Sequence, residues 1–208
     1  MSKQRINQWL MAPMVKPIIW LLALMPAAWL LLGAVTDSLG ANPAEALIRS
    51  TGDWALRGLC IALAVTPVRQ WTGWNALARL RRLLGLFAFF YVLLHVLSYF
   101  ALDIDWSIRA MWSDVLQRPF ILVGAMAALI LLALAVTSPK AAVRAMGGRN
   151  WQRLHRGVYL AAWLALLHFY WMRDAKNNVL EVWVYVAVIA VLQLWRLGHY
   201  MRKRRSAV

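Results

Sequence analysis

Long apolar blocks constrain this chain more than any other feature of its sequence. Hydrophobic residues make up 62% of its 208 residues, whereas roughly half is typical of a soluble domain. They gather in runs long enough, at about 1.5 Å per residue, to cross a hydrocarbon core of about 30 Å. Because a backbone in lipid must satisfy its own hydrogen bonds, we predict an all-α integral membrane protein.

Hydropathy predicts six membrane spans. Their approximate ranges are 18–35, 54–68, 83–102, 120–136, 157–172 and 179–195. The second span is the weakest of the six, because it is short and contains Arg57. Since no repeat or interdomain linker is evident, we expect residues 1–208 to form one six-helix transmembrane bundle.

Charged residues sort to the two sides of this six-span arrangement. The side that holds both termini carries most of the 23 Lys and Arg residues and no acidic residue, whereas the other side carries all eight Asp and Glu residues. The positive-inside rule then places both termini of this multi-pass chain in the cytoplasm. Because the net charge of +15 sorts by membrane side, we expect lipid rather than nucleic acid as its partner.

Histidines are the clearest titratable side chains within the predicted spans. His95 lies thirteen residues beyond Arg82, and His168 lies thirteen residues beyond His155, so each is about 20 Å from the cytoplasmic mouth of its span. Two imidazoles at one depth can clamp an iron porphyrin from both faces, an arrangement that suits electron transfer. Since Cys60 is the single cysteine and no C-x-x-C-H motif occurs, we expect a non-covalent haem b.

The sequence specifies an inner haem less clearly. His155 is an inner ligand or a relay in our interpretation, but a gap of thirteen residues rotates a helical side chain by roughly 140°. His155 and His168 therefore share a face only with tilt, a bulge or an irregular first turn. Arg81 and Arg82 occupy the positions where the second inner ligand would fall. We therefore expect one haem and leave the presence of a second open. We interpret His199, at the end of the last span, as an interfacial residue.

Arginines near these histidines are candidate cofactor contacts. Arg57 either pairs with Asp53 one helical turn earlier or neutralises a haem propionate. Arg81 and Arg82 lie at the cytoplasmic mouth of the third span. There they are candidates for binding propionates, a flavin phosphate or a reductase surface, and the general alternative is contact with anionic lipid.

Two segments resemble a known family. Residues 79–95, RLRRLLGLFAFFYVLLH, are similar to the third-helix segment of the MsrQ family, also called YedZ. Residues 151–171, which begin WQRLH and end LHFYW, are similar to its fifth-helix segment. The resemblance covers essentially the whole chain. This family belongs to the ferric-reductase and NADPH-oxidase transmembrane superfamily, whose helices III and V carry haem-ligating histidines.

The resemblance implies a function, cofactors and partners. It implies a b-type cytochrome of the bacterial inner membrane that passes electrons from the quinone pool, or from a cytoplasmic flavin reductase, to MsrP. MsrP is a periplasmic molybdopterin enzyme that reduces methionine sulfoxide in oxidised proteins. His95 and His168 match the outer haem pair, His155 matches the inner ligand of helix V, and FMN is a further implied cofactor. The chain would be the electron-transfer subunit of a heterodimer with MsrP and not its catalytic subunit.

Two other function classes fit the same residues. A stand-alone ferric or quinone reductase would use the same haem without a dedicated protein partner. The genes adjacent to this one would distinguish such a reductase from an electron-transfer subunit of MsrP. A haem-free transporter or membrane scaffold would use its histidines structurally. The lack of carboxylates within the predicted spans counts against ion coupling but not against a scaffold.

Overall fold

A computed structural model describes residues 2–174 and 179–205, apart from the side chains of residues 203 and 204. The described part is helical and contains no strand, which confirms the predicted all-α class. Its elements are α1 (Lys3–Met11), α2 (Val15–Val35), α3 (Pro43–Thr72), a 3-10 helix (Asn75–Arg79), α4 (Arg81–Leu102), α5 (Ile108–Gln117), α6 (Pro119–Val136), α7 (Lys140–Met146), α8 (Gly148–His155), α9 (Gly157–Asp174) and α10 (Leu180–Arg205). The chain divides into two compact units, Met1–Ser113 and Asp114–Val208.

Four of the described helices are long and apolar enough to cross a membrane. They are α2, α4, α6 and the part of α10 that runs over Leu180–Arg202, and they match four of the six predicted spans. The other two predicted spans lie in α3 and α9, which carry more polar residues. Arg49, Asp53 and Arg57 lie within α3, and Arg173 lies in the last turn of α9. The chain is thus a membrane protein, and the count of six spans stays a prediction.

Helix α3 is much longer than the predicted span over residues 54–68. The side chain of Asn42 accepts a hydrogen bond from the Glu45 N–H at 3.1 Å, and Pro43 occupies the first helical turn, where its missing N–H costs nothing. The helix continues for 30 residues and ends at Gly73, whose φ of 75° suits glycine. Hydropathy found only the apolar interior of this helix, because its ends carry charged residues.

Packing of α3 against α4 forms the core of the first unit. Leu59 and Leu63 of α3 and Phe87 of α4 are among its buried residues. Gly58 permits a close approach of the two helices, since a Cβ there would lie 3.1 Å from the Cα of Ala88. This contact lets α4 pack closely against α3.

A tyrosine of α4 bonds the backbone of α2 on either side of a proline. Pro26 lies inside this helix and has no N–H to donate. The Tyr91 hydroxyl of α4 donates to the Ala23 carbonyl at 2.6 Å and accepts from the Ala27 N–H at 3.2 Å. One side chain of α4 therefore bonds two backbone groups of α2 and ties the two helices together.

The second unit is built around α9. This helix packs most extensively against α6 and also against α10. Ala161 and Ala162 of α9 are fully buried, as is Ile189 of α10. An Arg196 guanidinium nitrogen of α10 donates to the Tyr159 hydroxyl of α9 at 2.7 Å. These contacts hold α9, which carries His168, against both α6 and α10.

Candidate functional site

The His95 imidazole docks against the side of α3. Its Nδ1 lies 2.8 Å from the carbonyl oxygen of Ile48. A carbonyl only accepts hydrogen bonds, so Nδ1 carries the proton, and the lone pair of the neutral ring lies on Nε2. Gly52 lies beside the ring, where a Cβ would be 3.1 Å from Nδ1. The half-buried imidazole is thus fixed in one tautomer and one orientation.

The His168 imidazole docks against α6 in the same way. Its Nδ1 lies 2.7 Å from the carbonyl oxygen of Phe120, which again assigns the proton to Nδ1 and the lone pair to Nε2. Gly124 lies beside this ring, and a Cβ there would be only 2.7 Å from Nδ1. Each unit of the chain therefore contains one histidine held by the backbone of a neighbouring helix.

This donor chemistry fits haem iron. A histidine that binds a metal usually donates its second ring N–H to a carbonyl or a carboxylate, because that hydrogen bond orients the ring and makes it a stronger ligand. His95 and His168 both make the carbonyl form of this contact. Their Nε2 atoms are the ones with the lone pair that iron requires.

His155 has the opposite arrangement. The Thr137 hydroxyl donates to the Ala133 carbonyl at 2.6 Å, so at 3.2 Å it accepts a hydrogen bond from His155 Nε2. The His155 ring also stacks on Trp151 with ring centroids 3.9 Å apart. Its Nε2 carries the proton in this contact, which favours a relay or packing role. Inner ligation by His155 stays a prediction.

A break between α8 and α9 bears on the rotation of about 140° that one continuous helix would place between His155 and His168. His155 is the last residue of α8, and α9 begins at Gly157. His155 and His168 therefore do not share one continuous helix. Of the three arrangements considered for this pair, the structure shows an irregular turn.

The structure also places the arginines that the sequence analysis named as candidate cofactor contacts. The Arg57 guanidinium lies 4.9 Å from the centroid of the Trp54 ring, a cation–π contact that neither prediction for Arg57 included. Arg81 and Arg82 begin α4 and are exposed. His199 is exposed and stacks on Trp195 at 5.5 Å between ring centroids, as expected of an interfacial residue.

Sequence reasoning missed the two glycines and the two carbonyls that hold the histidines. Helix glycines are common, and neither Gly52 nor Gly124 lies near a histidine in the sequence. The structure shows a common spacing that the sequence alone does not reveal. His95 bonds a carbonyl 47 residues earlier and His168 one 48 residues earlier, and in both cases a glycine follows that carbonyl by four residues.

Comparison with known proteins assigns the family. The profile of the family described as "Ferric reductase like transmembrane component" matches residues 51–167. A protein of Polaromonas naphthalenivorans named "Protein-methionine-sulfoxide reductase heme-binding subunit MsrQ" is 54% identical over 97% of this chain and 92% of its own length. The chain belongs to the MsrQ family. This confirms the resemblance that the third- and fifth-helix segments indicated.

Other MsrQ proteins are nearly as similar. The one from Ralstonia nicotianae is 48% identical, and the one from Herminiimonas arsenicoxydans is 44% identical. Each alignment covers 92% of this chain and 88% of the relative. No solved structure matches the chain. The ferric-reductase-like match includes Gly52, His95 and Gly124 and ends one residue before His168.

Proposed function

We propose that this chain is a membrane electron-transfer subunit in which His95 and His168 hold one haem b through their Nε2 atoms. The observation that carries the proposal is the pair of matching hydrogen bonds from Nδ1 to a helix carbonyl. The MsrQ relatives are named heme-binding subunits, which supports the choice of cofactor. A haem ligated by two imidazoles would supply one-electron transfer and offer no open iron position.

The side chains and backbone of this chain would supply binding, orientation and shielding. The Ile48 and Phe120 carbonyls hold the imidazoles in one tautomer, and the apolar helices around them limit access of water. Arg57, in the outer half of α3 in the proposed topology, is a candidate partner for a propionate. Arg81 and Arg82 offer exposed positive charge at the start of α4.

We further propose a direction for the electrons. Charge sorting places both termini and the basic loops in the cytoplasm of a bacterial inner-membrane protein with six spans. Electrons would enter from the quinone pool or a cytoplasmic flavin reductase and leave on the periplasmic side to MsrP. The names of the relatives, which make them subunits of a protein-methionine-sulfoxide reductase, support a partner of this type.

Haem content tests the ligand assignment. We would purify the wild type, His95→Ala and His168→Ala in detergent, with His199→Ala as the matched control. Absorption spectra and haem-to-protein ratios should show about one low-spin haem per wild-type chain, its loss in the first two variants and its retention in the control. Full haem in both His95→Ala and His168→Ala would contradict the assignment. A colourless folded wild type from haem-replete cells would favour a haem-free scaffold.

Reoxidation tests the partner. The chain would be reduced in vesicles and mixed with MsrP and a protein containing methionine sulfoxide. We expect rapid reoxidation that requires both additions. The family description as ferric-reductase-like favours one second candidate, a stand-alone ferric reductase. Equally rapid reoxidation by a ferric chelate alone would support that candidate over the first.

FMN is the second cofactor in our proposal, and it rests on the family resemblance. Acid treatment of the purified protein should release FMN, which fluorescence and chromatography would quantify. If the exposed Arg81 and Arg82 bind its phosphate, then Arg81→Gln together with Arg82→Gln should lower the FMN content and leave the haem content unchanged. Purified protein that contains haem but no flavin would contradict the proposal that FMN is a cofactor.

A further inference from the structure

Two glycines lie where the histidine rings meet the helices that hold them. A Cβ on Gly52 would lie 3.1 Å from His95 Nδ1 and 3.2 Å from its Cε1. A Cβ on Gly124 would lie 2.7 Å from His168 Nδ1 and 3.0 Å from its Cε1. Distances below about 3.0 Å force atoms to move, and those slightly above it require the neighbour to shift. Both imidazoles therefore occupy space that only glycine leaves open.

The position of each glycine follows from helix geometry. The carbonyl of residue i in an α-helix points towards the N–H of residue i+4. A side chain that donates to this carbonyl from outside must pass close to residue i+4, whose Cβ would stand in its way. Gly52 is residue i+4 for the Ile48 carbonyl, and Gly124 is residue i+4 for the Phe120 carbonyl. The same arrangement occurs once in each unit.

We propose that Gly52 and Gly124 are positioning residues for haem, because each opens a notch through which a ligating histidine reaches a backbone carbonyl. This inference rests on the proposed ligation by His95 and His168. A methyl group in either notch would displace the ring and lengthen the hydrogen bond from Nδ1. The imidazole would then lose its fixed orientation and part of its basicity as a ligand.

The two notches differ in how tightly they fit. A methyl group at position 124 would meet the ring at 2.7 Å, whereas one at position 52 would meet it at 3.1 Å. Gly124→Ala should therefore have the larger effect. Loss of a contact that orients a metal ligand typically weakens binding by about 10- to 100-fold, and we expect Gly52→Ala near the lower end of this range.

The experiment compares each notch with a glycine that packs against something other than histidine. Gly58, in the same helix as Gly52, lies against Ala88, and Gly157 of the second unit lies against Ile130. Full-length Gly52→Ala, Gly124→Ala, Gly58→Ala and Gly157→Ala proteins would be titrated with haem, and their thermal stability and haem midpoint potentials would be measured. Packing defects alone change the stability. A change in the hydrogen bond that holds the ligand shifts the potential as well.

We expect weaker haem binding and a higher midpoint potential in Gly52→Ala and Gly124→Ala, because a less basic imidazole stabilises ferric iron less. Gly58→Ala and Gly157→Ala should keep the wild-type potential, whatever their stability. Wild-type haem affinity and potential in both notch variants would overturn the proposal, as would an equal shift in Gly58→Ala. Should Gly124→Ala fail to fold, the milder Gly52→Ala decides.

The histidine variants separate this proposal from the function on which it rests. If His95→Ala and His168→Ala lose haem while the notch variants are unchanged, ligation by the histidines stands and only the role of the glycines is wrong. If the wild type binds no haem, or if both histidine variants retain it fully, both proposals fail together.

Discussion

At the scale of single residues, hydrogen bonding sorts the histidines more sharply than their depth does. His95 and His168 donate from Nδ1 to a carbonyl, whereas His155 donates from Nε2 to the Thr137 hydroxyl. Because haem iron binds a ring nitrogen with a lone pair, Nε2 is the atom through which the first two would ligate it. His155 would have to give up its contact with Thr137 before it could bind through the same atom.

The His155→Gln variant tests this distinction. A glutamine amide can still donate to the Thr137 hydroxyl but cannot ligate haem as an imidazole does. We expect the haem-to-protein ratio of the purified variant to equal that of the wild type. A fall to about half, from a wild-type value near two, would instead make His155 the ligand of a second, inner haem.

The Tyr91→Phe variant tests the contact between the Tyr91 hydroxyl and the backbone of α2. It keeps the aromatic ring but removes the hydroxyl that joins the Ala23 carbonyl and the Ala27 N–H. Leaving such groups unsatisfied costs about 1–3 kcal/mol, so thermal denaturation in detergent should show a lower melting temperature. Tyr170 of α9, which lies outside this contact, provides the control, since Tyr170→Phe should melt like the wild type. Equal melting of all three proteins would mean that the hydroxyl adds nothing to stability.

The sequence predicted the candidate ligands and not what holds them. Burying an imidazole in an apolar helix is costly without a purpose, so His95 and His168 were recognisable from hydropathy and depth alone. The glycines were not, because the residue that makes each one necessary lies more than forty positions further along the chain. Only the folded contact between α3 and α4, and between α6 and α9, shows what Gly52 and Gly124 are for.

At the scale of elements, apolar runs predicted the helices that lie mainly in lipid and misjudged those with polar ends. The predicted spans over 83–102 and 120–136 agree closely with α4 and α6. The short helices α1, α5, α7 and α8 were not predicted, because they are too short or too polar for a hydropathy window. Their boundaries depend on local caps and turns that carry little hydropathy signal.

Helix α1 provides a test at this scale, because the Asn7 side chain links it both to the end of α3 and to the 3-10 helix. Asn7 donates from Nδ2 to the Gly73 carbonyl at 3.2 Å and accepts through Oδ1 from the Ala76 N–H at 3.0 Å. Asn7→Ala should release α1 and speed tryptic cleavage at Lys3 and Arg5. The control is Gln8→Ala, which changes the neighbouring exposed residue of the same helix.

Cleavage would be followed by mass spectrometry of the intact protein in detergent. Because two hydrogen bonds of about 1 kcal/mol each are lost, we expect cleavage several-fold faster in Asn7→Ala than in Gln8→Ala. Equal rates in the two variants would show that other contacts hold α1 in place.

At the scale of the whole molecule, the proposed topology depends on whether α3 and α9 cross the membrane. Both helices carry charged residues, and neither is among the four described helices that are long and apolar enough to cross a membrane. The charge sorting requires all six crossings, since removing one would mix acidic and basic loops on each side. Labelling from one side of the membrane tests the crossing of α3, because that crossing decides whether the loop before α3 and the loop after α6 lie on opposite sides.

Single cysteines introduced into a Cys60→Ala background would report the topology. Cys60 is buried and is the only native cysteine. In bacterial spheroplasts, a maleimide that cannot cross membranes should label Ser38→Cys, in the turn before α3, without lysis. It should label Ala141→Cys, in α7, only after lysis. Equal labelling of both before lysis would contradict the predicted orientation.

The most direct test of the central claim is the electron paramagnetic resonance spectrum of the oxidised protein, since it reports the axial ligands of ferric haem. Ligation by His95 and His168 predicts a low-spin signal in the wild type and in His155→Gln. It also predicts loss of that signal in both His95→Ala and His168→Ala, through a change to high spin or the loss of haem. An unchanged low-spin spectrum in either alanine variant would show that the iron is held by other residues.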